Sequence, residues 1–537
     1  MADNYNDYSR EELIRELRLR DRRPRFGLVW ERKEIEHEKA VNDDFVMLDF
    51  DPALSCGEAP YRNLIIEGDN FDALRYLSMT HAGKVKCIYI DPPYNTGNRD
   101  FIYNDRFIDK EDAYRHSKWL EFMYRRLELA RTLLAEDGVI FVSIGEDEIF
   151  HLALLMDSVF GEQNRIGTFI WKTRHSADSR NLTGASIDHE YVLSFGRKIK
   201  GAPIDENKFS NPDSDPRGSW RSADMTGLAT KEQRPNLHYE LLNPETGIVY
   251  SCPDKGWRYE PKTMRRLIEE NRILWPVLKS GRPRLKKFVN ELSTQRKGFS
   301  TILNAAMTSE GTKELKDLDM NNGFSFPKPT GLIQQLIDQN TNSGDLVLDF
   351  FAGSGTTAHA VMKLNAEDGG NRRFILVSST EATDNEPDKN LCRDVCAERV
   401  KRVMQGYANK KGEAVAGLDG NFAYLRTNRL PAETLFSSIQ HEAIWTALQL
   451  IHAESLSPFA ADAPVQQAVL ENSTVLYLPK INETVLGALN TVRETASTLV
   501  VYSWQPGLLR QHFEDHRLSF LPIPQFLVDR FGAGSKA

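Results

Sequence analysis

The sequence predicts an α/β protein with a doubly wound, mostly parallel sheet, and three observations carry that expectation. Short apolar runs alternate with longer segments of helical periodicity. Two of the runs end in loops dense with chemistry-bearing residues, Asp91-Pro92-Pro93-Tyr94 and Asp349 to Thr357. The alternation also stops near Arg165 and resumes near Phe326, as if one sheet had been interrupted by an insert. In order along the chain, Arg10–Arg23 is a charged helix, and Asn63–Asn70 is a strand and turn with a helix opening at Phe71–Leu77. Val85–Ile90 is a buried strand, Lys110–Ala135 a helix, Gly138–Ile144 a strand and Glu146–Phe160 a helix. After the break come the helix Thr330–Asn340, the strand Asp345–Phe351, the helix Thr357–Leu364, the strand Arg373–Ser378 and the helix Asn390–Gln405. Ser473–Leu478, Leu499–Tyr502 and Leu518–Leu521 are strands of a last, smaller unit.

At 537 residues the chain exceeds what one hydrophobic core supports. The expected domains are an arm (1–60), two halves of one α/β domain (61–164 and 326–419), an insert (165–325) and a small α/β domain (420–537) suited to partner or dimer contacts. No apolar run is long enough to cross a bilayer and the first residues are polar, which points to a cytoplasmic protein. Five cysteines do not make a disulfide framework. Cys392 and Cys396 have helical spacing without a second Cys/His pair, so they read as a helix face and no metal site is expected. Net charge is −8, yet residues 255–297 hold 13 basic against 4 acidic side chains. Such a local excess is what phosphates attract, whatever the whole-chain balance.

The loop at Asp91 offers a carboxylate and a proline carbonyl at one strand end. An amine conjugated to an aromatic ring is a poor nucleophile because its lone pair is delocalised. Two acceptors that take both of its N–H groups let the nitrogen become tetrahedral, and Asp91 and the Pro92 carbonyl can be that pair. Pro92 and Pro93 keep the turn extended, and Tyr94 offers a ring on which an extruded base can stack. The second loop, Asp349, Phe350, Phe351, Ala352, Gly353, Ser354, Gly355, Thr356 and Thr357, is a small-residue turn where backbone can run beside a cofactor. A Cβ at Gly353 or Gly355 is expected to crowd that cofactor. Glu381, just past the next strand, suits ribose hydroxyls, and Asp69 sits at another strand end.

These residues resemble the beta-class DNA adenine-N6 methyltransferases, and within them the modification (Mod) subunits of Type III restriction–modification systems. The matching strings are GLVWE, LIIEGDNFDAL, YIDPPYNTGNRDFIYNDRF, GVIFVSIGEDE, HEYVLSF at 189–195, FPKP at 326–329, LVLDFFAGSGTTAHAV and RRFILV. The resemblance covers most of residues 25–405, with the string from Asp91 to Phe107 its most specific part. It implies a methyltransferase fold with circularly permuted motif order, the catalytic loop preceding the cofactor loop. It implies S-adenosylmethionine as methyl donor, duplex DNA as substrate and the insert as target recognition domain. A homodimer and an ATP-dependent restriction subunit are the implied partners, in a bacterial or archaeal cell and near its nucleoid. Asp91, Pro92, Pro93 and Tyr94 match the catalytic motif, and Phe351, Gly353, Gly355 and Thr356 the cofactor loop. Lys328 and Pro329 match a motif lining the methionine end of the cofactor pocket, and Asp69 an acidic strand-end residue. The chain departs from the pattern at Ser378-Ser379-Thr380, which precede Glu381, and it is short for a Type III subunit.

Within the insert, Trp171, Lys172, Arg174 and His175 and the cluster Arg282, Arg284, Lys286 and Lys287 are the candidate DNA contacts. An aspartate opening the catalytic motif favours adenine, where cytosine-N4 enzymes usually carry serine. Alternative readings are cytosine-N4 methylation, a recognition subunit that delivers a nuclease or motor, and methylation of RNA or protein, the last leaving the basic insert unexplained.

Overall fold

The computed structural model describes residues 45–103, 106–109, 114–178, 184–292, 296–320, 324–382, 386–430, 441–452, 455–470, 473–495 and 498–523, with Ser9, Arg10, Leu28 and Trp30. Apart from Arg10, the expected helix Arg10–Arg23 lies outside the described residues.

Ten strands form one sheet: β1 (Phe45–Cys56), β2 (Leu64–Glu67), β3 (Val85–Ile90), β4 (Leu134–Ile144), β5 (Arg165–Lys172), β6 (His189–Gly196), β7 (Ile302–Leu303), β8 (Leu346–Asp349), β9 (Arg373–Ser378) and β10 (Phe422–Leu430), in the order β1-β10-β2-β9-β8-β3-β4-β6-β5-β7. The six strands from β10 to β4 are mutually parallel. Cys87, Ile88, Ile90, Val347 and Leu348 are fully buried, which is why their strands read as unbroken apolar runs. Antiparallel pairing appears at β1 on β10 on one side and at β4–β6–β5 on the other, where β7 joins β5 in parallel at the edge. The sheet is therefore the doubly wound, mostly parallel one expected.

The helices α1 (Asn70–Thr80), α2 (Arg115–Leu133) and α3 (Ile149–Phe160) cover the face that presents Ile66, Ile88, Ile90, Ile140, Val142 and Leu348. Four further helices are α4 (Thr308–Asp317), α5 (Thr330–Asp338), α6 (Thr356–Asp368) and α7 (Glu398–Gln405), of which α5 packs on α6 and α6 on α7. The segment expected as one helix from Asn390 begins as a wide π turn at Cys392–Ala397 before α7. There Cys392 and Cys396 are buried thiols, in line with a helix face.

Residues 200–299 form a compact unit of their own, narrower than the expected 165–325, and the rest of the chain forms the other. Phe169, Trp171, Val192, Leu193 and Phe195 are buried, so β5 and β6 belong to the large sheet, with β7 beyond them at its edge, rather than to the smaller unit. The smaller unit has a three-stranded antiparallel sheet (Trp220–Ala223, Ile273–Leu274, Arg284–Phe288) and the helix Pro261–Glu269. Its core gathers Met225, Leu241, Trp257, Met264, Leu267 and Ile273.

The expected boundary at 420 falls just before β10, which slots between β1 and β2. Beyond it, Gln466–Val469, Thr474–Leu478, Leu499–Ser503 and Leu518–Pro522 make a separate four-stranded sheet. Helix α8 (His441–His452) ties this region to the main core through Ala447 and Leu450. Among the described residues no helix is long and apolar enough to cross a membrane.

Candidate active site

The connection β3–α2–β4 moves one way along the sheet and β8–α6–β9 moves the other, so β3 and β8 flank the switch point of the winding. Loops leaving the carboxyl ends of two such strands diverge and open a crevice. Val347 pairs with Cys87 and Leu348 with Ile88, which brings the Asp91 loop and the Asp349–Thr357 loop out side by side.

At the first loop, the Lys328 ammonium donates to both oxygens of Asp91, at 2.8 and 2.7 Å, and lies 3.3 Å from Glu190 Oε2. The Tyr94 hydroxyl donates to the same Glu190 oxygen at 2.8 Å, and Lys328 Nζ stands 4.9 Å from the centre of the Tyr94 ring. Burial alone would lower the Lys328 pKa, but Asp91 and Glu190 outweigh it and raise it. Burial first, then Asp91 and Glu190, push the Tyr94 phenol well above its ordinary value, so it stays a donor. Trp119 Nε1 donates to the Pro93 carbonyl at 2.8 Å, not to that of Pro92. Asn95 follows with a left-handed φ of 57° and donates to buried Glu148 Oε1 at 2.6 Å. A Cβ on Gly145 would sit 2.8 Å from the Tyr94 ring, so that glycine is what admits the tyrosine.

At the second loop, Asp349 is buried and accepts from the Phe351 N–H at 3.0 Å and from the Thr357 hydroxyl. Burial raises its carboxyl pKa to about 7. Gly353 and Gly355 have φ of 50° and 74°. A Cβ at Gly353 would lie 2.8 Å from the Phe324 ring and one at Gly355 3.0 Å from the Cys396 carbonyl. The glycines are thus required by backbone conformation and by the protein's own packing. Crowding of a cofactor, the expected reason, would add to these contacts.

Behind the loop lies Arg399, fully buried. Its Nη1 donates to Thr356 Oγ1 at 2.7 Å and Ser354 Oγ at 3.2 Å. Its Nη2 donates to Glu314 Oε2 at 3.1 Å and Thr330 Oγ1 at 3.2 Å. Glu314 in turn accepts from the Thr330 N–H at 3.1 Å, at the start of α5 beside Lys328 and Pro329. One buried ion pair therefore fastens the small-residue turn to the segment that delivers Lys328 onto Asp91.

Asp69 caps α1, accepting from Phe71 N at 2.8 Å and Asp72 N at 3.3 Å, and meets Arg126 Nη2 at 3.1 Å. Its neighbour Asn70 donates to the Phe350 carbonyl at 2.9 Å, which ties this turn to the end of β8. Glu381 is exposed and paired with Lys389 at 3.0 Å. The acidic side chain at the end of β2, in register with Ser378, is Glu67, which accepts from Asn390 Nδ2 at 2.9 Å and from Tyr424.

Of the residues expected at DNA, Lys172, Arg174 and His175 are exposed, with Arg174 3.2 Å from Asp178. Trp171 is only 1% exposed and donates from Nε1 to the Ala306 carbonyl at 2.9 Å, which makes its ring part of the core. In the smaller unit Arg282, Arg284 and Lys287 are exposed. Lys286 points inward with Phe288, 4% exposed and held by Asp213 and Asp215, because side chains alternate along that strand.

Sequence reasoning missed Glu190, Gly145, Glu314 and Arg399. Glu190 lies within the HEYVLSF string and Gly145 within GVIFVSIGEDE, so their presence was visible but not their place. Nothing in the local sequence marks Arg399 or Glu314.

A family model of DNA methylases matches residues 85–382, more than half of the chain. The chain belongs to that DNA methylase family. The chain is 34% identical over 338 residues to the Type II methyltransferase M.KpnI of Klebsiella pneumoniae, covering 58% of this chain and 79% of that one. It is 35% identical over 381 residues to the StyLTI Mod subunit, of a Type III restriction-modification enzyme of Salmonella typhimurium, covering 64% of this chain and 57% of that one. With the Type III EcoP15I Mod subunit of Escherichia coli it shares 32% identity over 417 residues, 64% of this chain and 63% of that one. The chain thus spans 57 to 63% of the length of these two Mod subunits.

Proposed function

We propose that this DNA methylase transfers a methyl group from S-adenosylmethionine to N6 of an adenine extruded from duplex DNA, as the modification subunit of a restriction–modification system. The observation that supports it most is the emergence of the Asp91 and Gly353–Gly355 loops from adjacent parallel strands, at the switch point. The residues around the crevice fit the cofactor: Lys328 is a buried cation suited to its carboxylate, and Phe351 is a half-buried ring at the strand end. Asp349, Ala352 to Thr357 and Pro329 would shape its binding cleft, with Asp69 and Glu381 as the flanking acids. When bound, the cofactor supplies an electrophilic sulfonium methyl.

The chain's own residues act on the amine. Asp91 accepts one N–H and the Pro92 carbonyl the other, so the nitrogen becomes tetrahedral and its growing positive charge faces a carboxylate. In the free enzyme the Lys328 ammonium occupies that place on Asp91, and Glu190, at 3.3 Å, is the second carboxylate onto which it withdraws. Tyr94, fixed through its hydroxyl to Glu190, stacks on the extruded base. An aspartate at the head of the motif favours adenine over cytosine.

The test is reaction of duplex DNA with methyl-labelled cofactor, followed by digestion and chromatography of the nucleosides. Label is expected in N6-methyladenine. Label in methylcytosine alone overturns the adenine assignment, and no label overturns methyl transfer.

Lys172, Arg174 and His175 and the exposed cations Arg282, Arg284 and Lys287 are the proposed DNA contacts. A second copy of the chain and a restriction subunit are the proposed partners. Replacing Arg282, Arg284 and Lys287 together by alanine is expected to weaken DNA binding at every sequence and to flatten the log-affinity against log-salt plot by up to about 3. Lys286→Met, in contrast, is expected to lower the melting temperature, since it leaves Asp213 and Asp215 without their shared cation. Fluorescence anisotropy across a salt series checks the first and thermal denaturation the second.

A further inference from the structure

We propose that His116, Glu148 and His151 form a binding site for one divalent transition-metal ion, beside the catalytic loop but outside it. The two histidines stand in the first turns of α2 and α3, and Glu148 immediately precedes α3. Glu148 Oε1 is 2.6 Å from His116 Nδ1 and Oε2 is 2.8 Å from His151 Nδ1. One donor atom from each residue can be chosen so that all three lie within 4.8 Å of one another, and the two rings are 4.7 Å apart. Two imidazole nitrogens and a carboxylate oxygen are the donor set that zinc and its neighbours in the first transition row prefer.

The geometry also provides an entrance. Glu148 is fully buried, while the histidine side chains are 42% and 40% exposed. An ion arriving from solvent would meet both rings before the carboxylate, and water would complete its coordination. The other polar contacts are Arg115 Nη2, 3.2 Å from His116 Nε2, and Asn95 Nδ2, 2.6 Å from Glu148 Oε1. Arginine donates to Nε2, so His116 carries its proton on Nδ1; an ion there moves the ring's proton to Nε2, and Arg115 must then turn its donor away from the ring.

Asn95 holds the Glu148 carboxylate in place and also reaches the Arg115 carbonyl, at 3.4 Å. It is fully buried, and its Oδ1 has no hydrogen-bond partner, although its Nδ2 grips Glu148. Three protein donors, two nitrogens and one oxygen, would hold the ion, with water at its remaining positions. Asn95 is the residue after Tyr94, so occupancy would fix the backbone that leaves the catalytic motif. The ion touches neither Asp91 nor Lys328 and takes no part in the reaction.

The experiment is calorimetric titration of the full-length, chelator-stripped protein with zinc chloride, with cobalt(II) absorption as a second readout. One ion per chain is expected, with visible cobalt bands of the intensity that four- or five-coordinate sites give. His116→Ala and His151→Ala should each weaken zinc at least tenfold, and the double variant should lose both the heat and the bands. His238→Ala, at a partly buried histidine of the smaller unit, should change neither. The half-exposed positions tolerate alanine, and matched circular dichroism melts verify that the variants fold. Absence of stoichiometric binding by the unaltered protein overturns the proposal, and so does binding that the double variant retains. Because the readout is metal binding, its outcome is independent of the methyl-transfer reading.

Discussion

Asp91→Ala is expected to lower methyl transfer by roughly a thousandfold or more while leaving sequence-specific DNA binding in place. The size follows from what is lost: a charge-assisted acceptor aimed at the atom where positive charge grows, in a site where single groups of that kind contribute factors of about 10² to 10³. Asp91→Asn keeps the shape and one acceptor, so a smaller loss of about a hundredfold is expected. Lys328 would still have Glu190, 3.3 Å away, and the fold should hold. Methylation rates with labelled cofactor and DNA binding by anisotropy check both halves. A variant that methylates like the unaltered protein removes Asp91 from the chemistry. Sequence-specific binding without methylation by the unaltered protein would favour a chain that only recognises DNA.

Arg399→Met is expected to act through two routes that one further variant separates. Its guanidinium is fully buried and shared by Glu314, Ser354, Thr356 and Thr330. Removing one partner of such a pair leaves the other charge uncompensated, at a cost of about 3–5 kcal/mol. The melting temperature should fall by several degrees. Independently, the turn from Ser354 to Thr356 loses its tether, so KM for the cofactor should rise about tenfold or more, with kcat less affected. Adding Glu314→Gln removes the stranded carboxylate, so stability should recover in part while KM stays high. If KM recovers with stability, Arg399 is only a structural residue. Arg399→Lys, which keeps charge but cannot span both sides, should fall between.

The legible part of this protein was local. Val85–Ile90 and Arg373–Ser378 appear with the bounds expected, because strands buried on both faces must be apolar throughout and polar turns delimit them. Less regular elements drifted. The helix expected from Lys110 is observed from Arg115 to Leu133, and β4 starts four residues before Gly138, since Leu134 already pairs with Val85. β5 and β6 looked like part of an insert because an antiparallel pair interrupts the strand–helix rhythm without leaving the sheet. β10 pairs with β1 and β2 from more than 350 residues away, a contact that no local pattern encodes.

The same division runs through the site. By itself the sequence determined the doubly wound class, the two strand-end loops and the identity of Asp91, Tyr94, Gly353 and Gly355, since strand, turn and residue type are all short-range properties. Only the tertiary structure decided that Lys328 caps Asp91, that Glu190 stands ready beside it and that Arg399 and Glu314 clamp the glycine turn. It also turned Trp171 and Lys286 inward. The physical reason is that a buried charge is tolerable only beside its complement, and complements come together through packing across the sheet, at a separation of 237 residues for Lys328 and Asp91.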